Sequence, residues 1–148
     1  MPTKPMEETI SYLLAQVCKA HRAAANEALN EVGLHVGQEM VLYSLWNECG
    51  VTQSDLAKNL CIEAPTVTRM LQRMERAELI ERCTDTTDGR ISRVHVTEKG
   101  RALKATIEQA WQTLEAKALA NFPLEERLLL RRMLIQMYHN LTTNSGPA

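Results

Sequence analysis

Long apolar runs are missing from this sequence. None of its 148 residues belongs to a run near the roughly eighteen apolar positions of a membrane-spanning helix. The first residues, Met1-Pro2-Thr3-Lys4-Pro5-Met6-Glu7-Glu8, contain no apolar signal region, so a soluble, cytoplasmic chain is expected. Paired cysteines are missing too. Cys18, Cys49, Cys61 and Cys83 form no Cys-x-x-Cys pair, and no Cys/His cluster has zinc-finger spacing. That excludes a disulfide scaffold and a structural zinc site, and reduced thiols are expected. An excess of one charge is absent as well: 17 basic residues face 18 acidic ones, a net charge of -1. Any affinity for nucleic acid must therefore come from positive charge placed locally. There is no glycine-rich phosphate loop and no nucleophile elbow, and the four histidines are scattered. The expectation is a protein that is not an enzyme and needs no cofactor.

What is present is enough apolar content, 45%, to bury a core, and one stretch around which the rest is organised. Within residues 51–100, the segment 64–74 places Val67, Met70, Leu71 and Met74 at the i, i+3, i+4, i+7 spacing of a buried helical face. The opposite face carries Thr66, Thr68, Arg69, Gln72 and Arg73, all hydrogen-bond donors with no acid among them. Such a helix suits a nucleic-acid groove.

Taken in order, Ile10, Leu13, Leu14, Val17, His21, Ala24, Ala28, Leu29 and Val32 predict one long first helix that Gly33 caps. Val36, Met40, Val41, Tyr43, Leu45 and Trp46 predict a second, ending at Cys49-Gly50. Thr52-Gln53-Ser54-Asp55 opens a short third, with Thr52 as N-cap and Asp55 in a variant capping box. The 64–74 helix follows, with Pro65 in its first turn, where a missing N–H is harmless. These two make a helix-turn-helix. Residues 79–83 and 92–96 alternate in character around a polar tip of turn formers, a β-hairpin wing. Thr97 then caps a helix through Leu103, Ile107, Ala110, Trp111 and Leu114 toward Phe122, and Pro123 interrupts it. A last helix, from Leu124 to Leu141, is apolar on more than one side, and the tail 142–148 is expected to fray.

The fold class expected is therefore mainly α with a small β-hairpin wing. A winged helix-turn-helix, residues 35–100, is flanked by long N- and C-terminal dimerisation helices in 1–34 and 101–148. Terminal helices with so much apolar surface need another surface to cover them, and a second copy of the chain is the simplest source.

At the wing a resemblance becomes specific. Asp88-Gly89-Arg90-Ile91-Ser92-Arg93-Val94-His95-Val96-Thr97-Glu98-Lys99-Gly100 resembles the Asp-x-Arg…Val-x-Leu-Thr-x-x-Gly signature of the MarR family of transcriptional regulators, with Val96 where the family often has Leu. Leu56-Ala57, Thr66-Val67-Thr68-Arg69, Met74-Glu75 and Leu79-Ile80 are similar to that family's helix-turn-helix. The resemblance covers nearly the whole chain, because the family also has long terminal helices that form the dimer. It implies a homodimeric repressor that binds pseudo-palindromic operator DNA and is released by a small aromatic or phenolic effector.

Site residues follow from both lines. Arg69 and Arg73, one turn apart, suit a base edge and a phosphate, with Thr66, Thr68 and Gln72 as shorter donors. Arg90 at the hairpin tip suits a narrow minor groove. Asp88 is expected to accept hydrogen bonds from the wing backbone or a neighbouring arginine and so aim Arg90. Arg93 is divided between DNA backbone contact and solvated surface. Gln53 and Ser54 sit at a helix N-terminus, where free N–H groups meet phosphate. Each also has the plain alternative of a solvated helix face.

For the effector, Lys19, His21 and Arg22 on the first helix offer positive charge to a carboxylate, and Met40 and Tyr43 offer apolar walls. The resemblance places a ligand cleft between the dimer helices and the DNA-reading lobe; ordinary core packing is the alternative. Cys18, beside Lys19, His21 and Arg22, is the candidate for a thiol-based redox sensor, against a role as small apolar filler. Cys49, Cys61 and Cys83 read as packing residues. A protein-interaction module without DNA binding is the remaining alternative.

Overall fold

The computed structural model describes residues 5–143. Expectations placed on residues 1–4 and on the tail from 144 onward lie outside those residues. A 3-10 turn, Met6–Glu8, leads into α1 (Ile10–Asn30), whose N-cap Thr9 accepts a hydrogen bond from the Tyr12 N–H. α2 (Gln38–Asn47), β1 (Val51–Thr52), α3 (Gln53–Asn59) and α4 (Ala64–Arg76) follow. The wing is β2 (Ile80–Thr84) and β3 (Ser92–Val96), and α5 (Glu98–Ala102), α6 (Lys104–Ala118) and α7 (Leu124–Thr143) complete the chain. The chain divides into two compact units, one ending at Leu114 and the other beginning at Glu115. Among the described residues no helix is long and apolar enough to cross a membrane.

Most of the first unit's boundaries have local causes. α1 ends in a left-handed cap: Gly33 has φ 80°, its N–H donates to the Asn30 carbonyl, and the Leu34 N–H reaches back to the Leu29 carbonyl at 2.9 Å. Leu29 and Leu34 are then both buried. Thr52 caps α3 through its hydroxyl, which accepts from the Asp55 N–H at 3.1 Å, and Thr97 caps α5 by the same device from the Gly100 N–H. The core gathers Leu29, Leu34, Val41, Leu42, Leu45, Leu56, Val67, Leu71, Met74, Ile80, Val94 and Ile107 from nearly every element of this unit.

Several expectations are corrected. α2 starts at Gln38 rather than Val36, because Gly37 turns the chain at φ 101° and the Glu39 carboxylate takes up its N–H at 2.7 Å. The inward face of α2 is Val41, Leu42 and Leu45, whereas Met40 and Tyr43 are exposed. β1 was not expected: its two residues pair antiparallel with β3, Val51 opposite Val94 and Thr52 opposite Arg93, giving a three-stranded sheet in the order β1-β3-β2. The helix expected from Thr97 to Phe122 breaks at the partly buried Leu103, and it ends at Ala118. Cys49, Cys61 and Cys83 are exposed rather than packed. They follow α2, turn between α3 and α4 at φ 52°, and lie on the edge strand β2, respectively.

In the second unit Asn121 takes a left-handed φ of 66°, and Arg127 donates to the carbonyls of Phe122 and Leu119 at 2.9 and 3.0 Å, closing the turn before α7. α7 has no buried residue, and Leu124, Leu128, Leu129, Met133, Leu134, Ile135, Tyr138 and Leu141 are all exposed.

Gly100 sets the tightest approach in the first unit. A Cβ there would overlap the Leu79 carbonyl oxygen and come within 2.7 Å of Val96 Cγ2, and the Gly100 carbonyl accepts from the Trp46 indole at 3.3 Å. Gly100→Ala is therefore expected to destabilise the chain by about 1–3 kcal/mol, the usual effect of overpacking. Urea unfolding at fixed protein concentration measures this; an unchanged midpoint would mean that α5 can move away freely.

Candidate nucleic-acid interface

The helix-turn-helix is held from both sides. Val67, Leu71 and Met74 of α4 are fully buried, and Met70 packs at the edge of the core. With those positions turned inward, the helical period carries Thr66, Arg69, Gln72 and Arg73 to the exposed face. Pro65 lies in the first turn of α4, and Glu78, in a left-handed φ of 60°, ends the helix with the Leu79 N–H bonded to the Met74 carbonyl at 3.0 Å. Thr68 is half-buried. Its hydroxyl donates to the Ala64 carbonyl and accepts the Gln53 amide N–H at 2.6 Å. Gln53 and Thr68 thus join α3 to α4 and are engaged with each other, while Ser54 is exposed beside them.

The wing is organised by carboxylates. The Asp88 carboxylate accepts from the Arg90 backbone N–H at 3.0 Å and from its guanidinium at 3.2 and 3.4 Å. Arg90 itself remains 92% exposed in its side chain. Arg93 is not a free surface cation. It donates to the Gly50 carbonyl at 2.8 Å and lies 3.3 Å from an Asp85 carboxylate oxygen. On the inner flank, Arg82 pairs with Glu75 at 2.8 Å and ties β2 to the end of α4. These guanidiniums hold the carboxyl groups of Asp85 and Asp88 below the ordinary 3.8, with the hydrogen bond from Arg93 the largest cause for Asp85 and that from Arg90 for Asp88.

Two open grooves flank the turn between α1 and α2. One, of about 240 Å³, is lined by His35, Val36, Gln38, Thr66, Arg69, Met70 and Arg73. The other, of about 310 Å³, is lined by Lys19, Arg22, Ala23, Asn26 and Val36. The structure therefore brings Lys19 and Arg22 together on one concave surface. It leaves His21, Met40 and Tyr43 outside that lining: the His21 ring leans on Trp111 with centroids 5.8 Å apart. Asn26, which the sequence reading missed, was legible as the residue one turn beyond Arg22, and its side chain accepts from the Val36 N–H at 3.4 Å. Cys18 is exposed on α1. Glu39 was also missed. It is buried, its carboxyl pushed above the ordinary 4.5 by desolvation and pulled back in part by backbone N–H groups and by Arg22.

The model of the MarR family matches residues 34–92. The helix-turn-helix transcriptional regulator YdgJ of Bacillus subtilis is 30% identical over 109 residues, 74% of this chain and 66% of its own length. The chain thus spans just under two thirds of that relative. TtmR of Methylorubrum extorquens, also a helix-turn-helix transcriptional regulator, is 29% identical over 89% of this chain and 70% of its own. Among solved structures, the Staphylococcus aureus MepR–DNA complex superposes with a TM-score of 0.80 at 27% identity, covering 89% of this chain and 98% of that one. The chain is thus similar to MarR-family proteins over its middle part and shares the winged-helix fold of that solved complex. Both relatives carry the name of helix-turn-helix transcriptional regulators rather than of enzymes.

Titration should separate the carboxyl groups of this chain. Asp85 and Asp88, lowered in the fold, contribute stability that is present above 3.8 and lost as pH falls through their folded values. Glu39, raised in the fold, does the reverse: its contribution is complete below 4.5 and is lost as pH rises through its folded value. Carboxyl-carbon NMR shifts followed against pH should place the two aspartates below 3.8 and Glu39 above 4.5. Glu39→Gln, which keeps an acceptor for the Gly37 N–H, should raise the melting temperature at pH 7. A lower melting temperature would mean that attraction to Arg22 outweighs desolvation.

Proposed function

We propose that the chain is a homodimeric repressor that binds pseudo-palindromic operator DNA through α4 and the wing and is released by a small aromatic or phenolic ligand. The observation that carries this reading is the outward face of α4, where Arg69 and Arg73 are exposed with Thr66 and Gln72 and no acid, on the same compact unit as the 92% exposed Arg90 side chain. A relative of the same fold was solved on DNA. Arg69 and Arg73 read base edges and phosphate in the major groove, Thr66 and Gln72 supply shorter donors, and Ser54 lies at the α3 N-terminus facing phosphate, whereas Thr68 and Gln53 are engaged with each other. Arg90 enters the minor groove, aimed by Asp88.

The dimer rests on apolar surface. Ile10, Leu13 and Val17 on α1 and the exposed row on α7 are more than a solvated helix retains, and a second copy is the partner that offers the same surface in return. Residues 1–34 and 101–148 form this dimerising region and 35–100 the reading region. Two copies of α4 about 34–36 Å apart then meet successive major grooves. The ligand occupies the Lys19–Arg22 groove, whose two cations match a carboxylate; Met40 and Tyr43 lie outside its lining, and His21 stays against Trp111. A ligand that favours another spacing of the two reading helices weakens DNA binding. The exposure of Cys18 favours a second reading, release by oxidation of that thiol. The working compartment is the cytoplasm.

The experiment is binding of purified protein to its own upstream DNA across a salt series, repeated with salicylate and with a mild organic peroxide. Affinity should fall steeply with salt, and Arg90→Ala should weaken all sequences alike. Arg69→Ala or Arg73→Ala should also relax specificity by about 1–3 kcal/mol at the base each one reads. Release by salicylate, lost in Arg22→Ala, supports the ligand reading; release by peroxide, lost in Cys18→Ser, supports the thiol reading. No binding at low salt would leave only a protein-interaction module. Sedimentation equilibrium should give twice the chain mass at micromolar concentration, and a monomer there would sink the dimer.

A further inference from the structure

Arg93 lies on the central strand of the sheet, opposite Thr52 of β1 and Cys83 of β2. Its guanidinium is held at two points. One N–H donates to the Gly50 carbonyl at 2.8 Å, and Nε faces Asp85 Oδ1 at 3.3 Å. Gly50 has φ 66°, and a Cβ added there would meet His95 Cε1 at 3.2 Å and Arg93 Cδ at 3.7 Å, so the arginine stem runs along that backbone. From Gly50 the chain passes through β1 directly into the N-cap of α3.

At the other end, Asp85 is the first residue of the hairpin tip. Its N–H donates to the Ile91 carbonyl at 2.9 Å, and its carboxylate accepts the Thr87 hydroxyl at 3.1 Å. Three residues later Asp88 organises Arg90. The Asp85 side chain is 12% exposed against 92% for Arg90. One end of this hydrogen-bonded series is withdrawn and fixed, and the other is free.

We propose that Arg93 is a positioning residue rather than a DNA contact: its guanidinium, clamped between the Gly50 carbonyl and the Asp85 carboxylate, sets the distance and aim of the wing tip relative to α3 and α4. The inference rests on the DNA-binding reading above. A planar guanidinium can serve two acceptors at a fixed angle, which an ammonium cannot, and a cation already paired in this way has little charge left for phosphate.

The test uses the full chain on a DNA fragment to which the unaltered protein binds with a salt-dependent affinity. Asp85→Asn removes a negative charge from the wing, so a purely electrostatic account requires tighter binding. The clamp requires weaker binding, by about tenfold, within the coupling seen inside one hydrogen-bond network. Arg93→Gln, which removes the positive charge, should weaken binding similarly while leaving the slope of log affinity against log salt unchanged. In an Arg90→Ala background both substitutions should lose their effect on affinity, which a general loss of stability would not produce. Without DNA, amide exchange at Asp85 and Ile91 should quicken in Arg93→Lys while exchange at Leu71 is unaltered.

Asp85→Asn binding as tightly as the unaltered protein or tighter, a salt slope reduced by about one in Arg93→Gln, or unchanged exchange at Asp85 and Ile91 would each overturn the clamp. Failure of the unaltered protein to bind DNA overturns the function proposed above instead, and the exchange measurement still decides the clamp.

Discussion

The outward face of α4 is set by the side chains on its inward face. Val67, Leu71 and Met74 are fully withdrawn from water, and burying apolar side chains of this size contributes about 1.5–3 kcal/mol each. That burial fixes the rotation of the helix about its own axis, because turning it by one residue would expose these three and bury charged groups in their place. Arg69, Gln72 and Arg73 therefore need no partner to define which way they project. α3 depends on the same packing through Leu56, and the sheet joins it through Ile80 and Val94. The net charge of -1 is then no obstacle: what a polyanion meets is the local arrangement, not the total.

Polar contacts around the rim refine that frame rather than hold it up. Gln53 with Thr68, Arg82 with Glu75, and Arg93 with Gly50 and Asp85 each bridge two elements that the core already brings together. Exposed or half-exposed pairs of this kind contribute little to stability. What they add is direction, since an arginine held at two points has fewer rotamers than one in water. Glu39, a buried carboxylate, belongs to another class. Its burial opposes its charge, and it is retained beside a backbone N–H that would otherwise lack an acceptor.

Much of this frame was legible before any coordinates. The 3.6-residue pattern placed Val67, Leu71 and Met74 inside, and Thr52, Thr97 and Gly33 marked three helix boundaries through capping chemistry that is local in sequence. What failed to show had causes farther along the chain. β1 is two residues long, too short for any alternation, and exists because β3 offers it partners some forty positions later. The start of α2 depends on Gly37 and the Glu39 carboxylate, a local arrangement that the apolar pattern from Val36 concealed. Cysteine composition suggested packing for Cys49, Cys61 and Cys83, but turns and an edge strand decide exposure there. In the site, exposure on α4 and at Arg90 followed the pattern, whereas the engagement of Arg93 and Gln53 needed neighbours 43 and 15 residues away.

The turn between α1 and α2 connects the two grooves through a short physical path. Val36 lines both, and its N–H is held by Asn26 of the groove that contains Lys19 and Arg22. The next residue, Gly37, has so little room that a Cβ would come within 3.1 Å of Met70 Cε on α4. A molecule drawn to Arg22 and Asn26 thus competes for groups that position the turn against α4, and Arg69 and Arg73 line the far side of the same turn. For the effector proposed above, coupling to α4 would need no long chain of contacts, only a second resting position for residues 33–37, whose backbone already includes left-handed angles at Gly33 and Gly37. Because close-packed contacts respond to displacement in discrete steps, a shift of Gly37 of the kind the proposed release requires would press on Met70 and α4 rather than be absorbed.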